Sequence, residues 1–232
     1  MELLTLSSSQ EYVCGEALNL YKTEALDGLV TQAAAGRHLR LSPEQKSDTA
    51  LAVMLCEDDY SGWISVAAGR VLSPAKHPYR PAALDRLAIA PRLPEVTAFT
   101  HRAMSTPNVY LWGGTVGPNF DCSGLMQTAF AAAGIWLPRD SYQQEAFTQP
   151  LGWNELEPGD LVFFGTPERT KHVALYLGKD QYIHSSGVDQ GRNGIGIDSL
   201  TDLSHPVSAA YHPQRRRAGR VMASYWPGPL KP

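Results

Sequence analysis

Cysteine is scarce. Cys14, Cys56 and Cys122 are the three in a chain of 232 residues, and neither a C-x-x-C pair nor a tight His/Cys cluster accompanies them. A disulfide scaffold is excluded and a structural zinc site is disfavoured, so all three are expected as free thiols. An excess of one charge is also missing: 20 Lys and Arg stand against 23 Asp and Glu, a formal net charge of −3. No global field draws such a chain to nucleic acid or to an anionic membrane, and the run Arg215-Arg216-Arg217 reads as a solvated loop. No apolar stretch reaches the ~18 residues that span a bilayer. The nearest approach, A-F-A-A-A-G-I-W-L, is interrupted by Gly134 and stopped by Pro138. The opening M-E-L-L-T-L-S-S-S-Q has neither the basic nor the apolar region of a signal peptide, so a cytoplasmic location is expected. Internal repeats and low-complexity tracts are absent as well.

What is present suffices for a sizeable core. Apolar residues make up 43% and charged residues 19%, enough for one large or two small domains. Up to about residue 75, short alternating runs (A-L-N-L-Y, R-H-L-R-L, L-A-V-M-L-C) are separated by Gly, Asp and Ser clusters, which predicts a small all-β unit over 1–80. Cys14 and Cys56 fall on these runs as small buried residues. Pro74, Pro78, Pro81, Pro91 and Pro94 follow, and the stretch 81–94 reads as a stiff, extended linker. Beyond it, over 95–232, helices come first and strands afterwards, which predicts an α+β unit with an antiparallel sheet. E-V-T-A-F-T-H-R-A-M starts one helix. Cys122, Leu125, Met126, Ala129, Phe130 and Ala133 mark the buried face of a second, with Gly134 as its stop.

Only Cys122 has chemically suggestive neighbours. Within F-D-C-S-G-L-M-Q it occupies the first turn of the predicted helix, where unpaired backbone N–H groups and the macrodipole stabilise a thiolate and, later, an oxyanion. Asp121 is a good N-cap, but its charge raises the thiol pKa, so a neighbouring imidazolium is required as well. His172 opens the run H-V-A-L-Y-L-G and His184 ends Q-Y-I-H. If the two runs form a hairpin, an odd loop of Gly178 to Asp180 pairs His184 with Ala174 and puts both rings on one face. His172 would then be the base and His184 its orienter. Spacing alone equally allows two ordinary strand histidines. His38, His77, His101, His205 and His212 read as surface residues.

The segments Y-L-W-G-G, D-C-S-G-L, L-P-R-D-S, P-G-D-L-V-F-F, H-V-A-L-Y-L-G and Y-I-H-S-S-G, in this order, resemble the NlpC-type papain-like cell-wall cysteine peptidases over about residues 95–232. The N-terminal unit with D-D-Y-S-G-W resembles a bacterial SH3-like barrel, as found in γ-D-glutamyl-L-diamino acid endopeptidases of the cyanobacterial type. The resemblance implies Cys122 as nucleophile, His172 as general base and His184 as the third, orienting residue. It implies a murein peptide substrate, L-Ala-γ-D-Glu joined to a diamino acid such as meso-diaminopimelate, with a free amine on L-Ala and cleavage after γ-D-Glu. Asp140 matches the carboxylate that holds this amine, and Tyr60 the barrel residue closing that end of the groove. Tyr110, Trp112, Ser123 and Ser141 match groove residues around D-Glu, and Asp121 and Arg139 are counted with them.

Each assignment has a plainer counterpart. Asp140 doubles as an N-cap for S-Y-Q-Q-E-A-F, Trp112 as a core aromatic above a turn, Tyr60 as a hairpin tip and Arg139 as a surface charge. The glycine-rich G-G-T-V-G and G-R-N-G-I-G-I lack the strand-then-helix setting of a nucleotide loop. The chain is therefore expected to be a monomeric peptidase of peptide recycling without metal or organic cofactor. The alternatives are an acyltransferase or amidase on the same scaffold, or a non-catalytic murein-peptide sensor.

Overall fold

The computed structural model describes residues 7–227. Its first unit is one antiparallel sheet of β1 (Glu11–Cys14), β2 (Leu18–Tyr21), β3 (Leu29–Ala33), β4 (His38–Lys46), β5 (Ala50–Leu55), β6 (Ser61–Ser65) and β7 (Leu72–Pro74), ordered β3-β2-β6-β5-β4-β1-β7. The alternation seen in the sequence is what buries it: in L-N-L-Y, Leu18 and Leu20 face inward while Asn19 is exposed. Tyr12, Leu39, Val53, Leu55, Ile64 and Leu72 close the core from the other strands. Each such aliphatic side chain contributes about 1.5–3 kcal/mol by leaving water.

The connection is only partly extended. Residues 86–92 are helical: α1 (Arg86–Ile89) is capped by Asp85, whose carboxylate accepts from Ala88 N at 2.9 Å, and a short 3-10 turn leads into α2 (Leu93–Ser105). The expectation of an extended chain through residue 94 fails because Pro91 and Pro94 stand in first turns, where the missing N–H has no intrahelical acceptor to lose. Ile89 and Val96 anchor these turns in the second core.

That core lies between α2, α3 (Cys122–Ala132) and a second antiparallel sheet. α4 (Ser141–Phe147) precedes β8 (Gln149–Leu151), β9 (Leu161–Gly165), β10 (Thr170–Gly178), β11 (Gln181–Ser186), β12 (Gly194–Ser199), α5 (Pro206–Tyr211) and β13 (Arg215–Arg220). The sheet order is β12-β11-β10-β9-β13-β8. Arg215 to Arg217 are not a solvated loop. They open β13, where the Arg216 guanidinium meets Glu145 at 3.2 Å and Arg217 donates to the Glu145 carbonyl. The last strand ends at Arg220.

The β10–β11 hairpin has the required parity by an unexpected route. Leu175 pairs with Ile183 and Tyr176 with Tyr182, and the register then shifts so that Gly178 pairs with Gln181. The turn itself has two residues, Lys179 and Asp180, both left-handed at φ 51° and 61°. One bulged residue supplies the odd count that a three-residue loop would have supplied, so the register, continued by one pair, sets Ala174 opposite His184.

The two units interlock. Gln32 on β3 accepts from Thr115 N and Val116 N, and its backbone exchanges hydrogen bonds with the Thr115 hydroxyl. Gly113, at φ +79°, lies so close to β3 that a Cβ would sit 2.7 Å from the Leu29 carbonyl oxygen. Asp58, just after β5, accepts from Gln127 of α3 at 2.8 Å and pairs with the buried Arg37 at 2.9 Å.

Candidate active site

Cys122 is the first residue of α3, and Asp121 is its N-cap, with Oδ1 accepting from Gly124 N at 2.6 Å. Glycine at 124 is required by packing: a Cβ there would lie 2.0 Å from the Gly114 carbonyl oxygen. The D-C-S-G pattern is thus a cap, a thiol, a hydroxyl and a close approach in four consecutive positions.

Asp121 is not an uncompensated charge beside the thiol. Arg139 grips both its oxygens, at 3.1 and 2.6 Å, while donating to Ser123 Oγ at 2.9 Å and to Thr31 Oγ1 of β3 at 2.9 Å. Arg139 is only 1% exposed, so it is a buried clamp and not a surface charge. A carboxylate paired in this fork is worth keeping intact, because a buried partner left alone costs several kcal/mol, roughly 3–5.

The thiol faces the backbone N–H groups of Val173 and Ser123, which favour the thiolate, as does Arg139, but burial and the Asp121 charge dominate and push its pKa up to about 12. Burial, reinforced by His184, holds the neighbouring His172 imidazole well below its ordinary value. Each shift favours the uncharged form of its group.

His172 and His184 share the inner face as the bulge requires, with His172 Nε2 2.7 Å from His184 Nδ1. The chain does not stop there. His184 Nε2 lies 2.7 Å from Asp198 Oδ2 on β12, and Arg192 and His205 meet the same carboxylate at 2.7 and 3.2 Å. Burial alone would raise the Asp198 pKa, but its bonds to His184 and Arg192 outweigh it and hold the carboxyl below its ordinary value. Burial pushes the His184 pKa down against the pull of Asp198, which favours the neutral ring. A carboxylate only accepts, which puts the His184 proton on Nε2. His184 Nδ1 therefore accepts, and His172 must donate from Nε2. The lone pair of His172 is left on Nδ1, 3.4 Å from Tyr211 Oη.

A cavity of about 970 Å³ gathers these groups. Cys122 and His172 line it together with Tyr60, Tyr110, Trp112, Asp121, Ser123, Arg139, Asp140 and Ser141, whereas His184 lies behind the wall, fully buried. Asp140 caps α4 through its backbone N–H, which donates to Gln143 Oε1 at 3.1 Å, yet its carboxylate is turned to the cavity. There it accepts from Tyr60 Oη at 3.5 Å and from Tyr142. Cap and cavity group are one residue, so the two readings of Asp140 do not compete. Trp112 is 72% exposed and stands on the rim, not in the core. Tyr60 is no free hairpin tip: its N–H donates to Asp58 and its hydroxyl reaches across to the second unit.

Asp198, Tyr211 and Arg192 were not singled out from the sequence. Isoleucines at 195 and 197 alternate as a strand requires, and reading them so would have carried Asp198 to the sheet. Dismissing G-R-N-G-I-G-I as a nucleotide loop hid that signal. Tyr211 follows S-A-A on α5, and nothing local to it announces the His172 ring 4.4 Å away, centroid to centroid.

A thiol at a helix start that lines one cavity with the first histidine of a buried relay ending on a carboxylate is the arrangement that cysteine-nucleophile hydrolytic sites use. Residues 107–212 match the NlpC/P60 family, and residues 20–68 match the bacterial dipeptidyl-peptidase SH3 domain. The two matched segments fall on the two units, 20–68 within the first sheet and 107–212 within the unit of mixed helix and antiparallel sheet. It is 41% identical over 91 residues to a probable endopeptidase p60 of Listeria seeligeri, covering 39% of this chain and 16% of the relative. It is 38% identical over 95 residues to a γ-D-glutamyl-L-lysine dipeptidyl-peptidase of Bacillus subtilis, covering 40% and 30%. The chain thus spans well under half the length of these curated relatives. A crystal structure of an NlpC/P60 family protein from Bacillus cereus superposes with a TM-score of 0.48 at 21% identity, over 92% of this chain and 64% of that one. Among the described residues no helix is long and apolar enough to cross a membrane.

Proposed function

We propose that the protein is a cysteine endopeptidase that hydrolyses the bond between γ-D-glutamate and a diamino acid in murein peptides bearing a free N-terminal L-Ala, in the recycling of such peptides. Its peptidase domain begins near residue 95, behind the proline-rich stretch 81–94.

The observation that carries this reading is Asp140. Its carboxylate borders the same cavity as Cys122, burial raises its pKa, and among the described residues no Lys or Arg lies within ion-pair distance of it. The two phenolic hydroxyls that meet it leave a desolvated anion for a ligand ammonium to pair with. A charge-assisted hydrogen bond of this kind is worth about 1.5–3 kcal/mol. An acylated amine forfeits it and leaves Asp140 unpaired.

In the reaction, the Cys122 S–H proton passes to His172 Nδ1 as sulfur attacks the γ-carbonyl carbon. Backbone N–H groups at the start of α3 hold the oxyanion. Collapse breaks the C–N bond, and the leaving amine takes the proton from His172. Water then gives a proton to His172 and attacks the thioester, releasing the γ-carboxylate and restoring the thiol.

Incubation with L-Ala-γ-D-Glu-meso-diaminopimelate and its N-acetyl form, followed by mass analysis, tests the proposal. Cleavage of the first is expected at ten times the rate of the second or more. Equal cleavage of both removes the role of Asp140.

A further inference from the structure

The cavity has a second end, whose residues the reading above leaves unused. Gly187, Asp189, Gln190, Tyr211 and Gln214 line it. Its position is fixed by the hydroxyl pair Ser186 Oγ and Tyr211 Oη, 2.8 Å apart, and by the 3.4 Å from Tyr211 Oη to His172 Nδ1. The loop after β11 therefore starts beside the imidazole. From there a ladder of amides fixes Asp189: Gln214 Nε2 donates to Gln190 Oε1, and Gln190 Nε2 donates to Asp189 Oδ2, both at 3.1 Å. Gln214 is tied in turn to the Ala210 carbonyl at 2.8 Å.

Charge is divided along the cavity. Its cations are Lys22 from the barrel, the clamped Arg139, Arg169 just before β10 and Lys171 on it. Arg169 stacks over the Tyr142 ring at 4.3 Å, which places it with Asp140. The segments 187–190 and 211–214 bring no cation to the lining, and Asp189 is their one formal charge.

The chemistry of the proposed reaction orients a substrate between these ends. The leaving nitrogen takes its proton from His172, so the leaving residue extends on the imidazole side of Cys122, where Tyr211 and Asp189 stand. The amine-bearing end extends toward Asp140. We propose that Asp189 receives the side-chain ammonium of the leaving diamino acid and selects for a second amino group there. The inference rests on the peptidase reading and extends it from the free amine at one end to a cationic side chain at the other. Because Asp189 is solvent-exposed, its preference is modest, about three- to tenfold in kcat/KM.

The test compares L-Ala-γ-D-Glu-L-Lys with analogues ending in Nε-acetyl-lysine, norleucine and 2-aminoadipate, on the full chain. The wild-type protein is expected to prefer lysine over both neutral analogues. Asp189→Asn should bring the lysine-to-norleucine ratio to about one, and Asp189→Lys should invert the order in favour of 2-aminoadipate. A lysine preference that survives both substitutions overturns the inference, as does a wild type indifferent among the analogues; either result leaves peptide cleavage itself standing. Cleavage of none of the peptides overturns the peptidase reading, and the inference with it.

Discussion

Asp198 Oδ2 and His184 Nε2 lie 2.7 Å apart inside the second sheet, both essentially buried. This contact decides which nitrogen of each ring carries a proton, and through two rings it leaves the lone pair of His172 on Nδ1, beside the Tyr211 hydroxyl. A histidine orienter by itself is a weak support for an imidazolium, because it bears no negative charge. With the carboxylate behind it, the relay ends on an anion.

Asp198→Asn is therefore expected to lower kcat by about 10²–10⁴-fold, the range seen when an amide imposes the wrong tautomer on a catalytic histidine. KM should move little, because Asp198 does not line the cavity. Steady-state kinetics on the murein tripeptide checks this, and a change confined to KM would remove Asp198 from the relay.

The uncharged forms that burial favours at Cys122 and His172 have a pH signature. The thiol is raised to about 12 and both buried imidazoles are depressed below 6.5. Alkylation of Cys122 by iodoacetamide should be slow at pH 5 and should accelerate steadily toward alkaline pH. A fast, pH-independent rate at acid pH would instead report a preformed ion pair. The folded pKa of each imidazole lies below its unfolded value, so the stability it contributes is present above pH 6.5 and is lost as the pH falls below it. The acid limb of kcat/KM should likewise lie below pH 6.5.

Arg139→Met leaves Asp121 buried without its cation. A loss of about 3–5 kcal/mol in unfolding free energy is expected, measured by urea titration. A companion change, Thr31→Val, removes only the barrel's hydrogen bond and should cost about 1 kcal/mol. An Arg139→Met variant as stable as the parent would show that the pair contributes nothing beyond what a methionine supplies by packing.

Local patterns carried much of the fold. The alternation that buries Leu18 and Leu20, and the i, i+3, i+4 spacing of Leu125, Met126 and Ala129, are statements about one strand and one helix, and each was readable where it stands. The parity of His172 and His184 was readable too, as a condition on loop length, although a bulge and not a longer loop meets it. What escaped depends on approach in space. Arg139 reads as a groove residue or a surface charge but not as a buried clamp, because Asp121 and Thr31, which bury it, are 18 and 108 residues away in sequence. The helical turns at 86–92 escaped because proline was taken as a breaker at positions where it is an initiator.

The bond from Thr31 Oγ1 to Arg139 has a consequence beyond its own strand. The guanidinium that steadies the cap of the nucleophile's helix is itself steadied by a strand of the other domain, so the barrel is no detachable tether. A change of side chain at Thr31 should therefore be felt across the domain boundary, at the cap of the Cys122 helix.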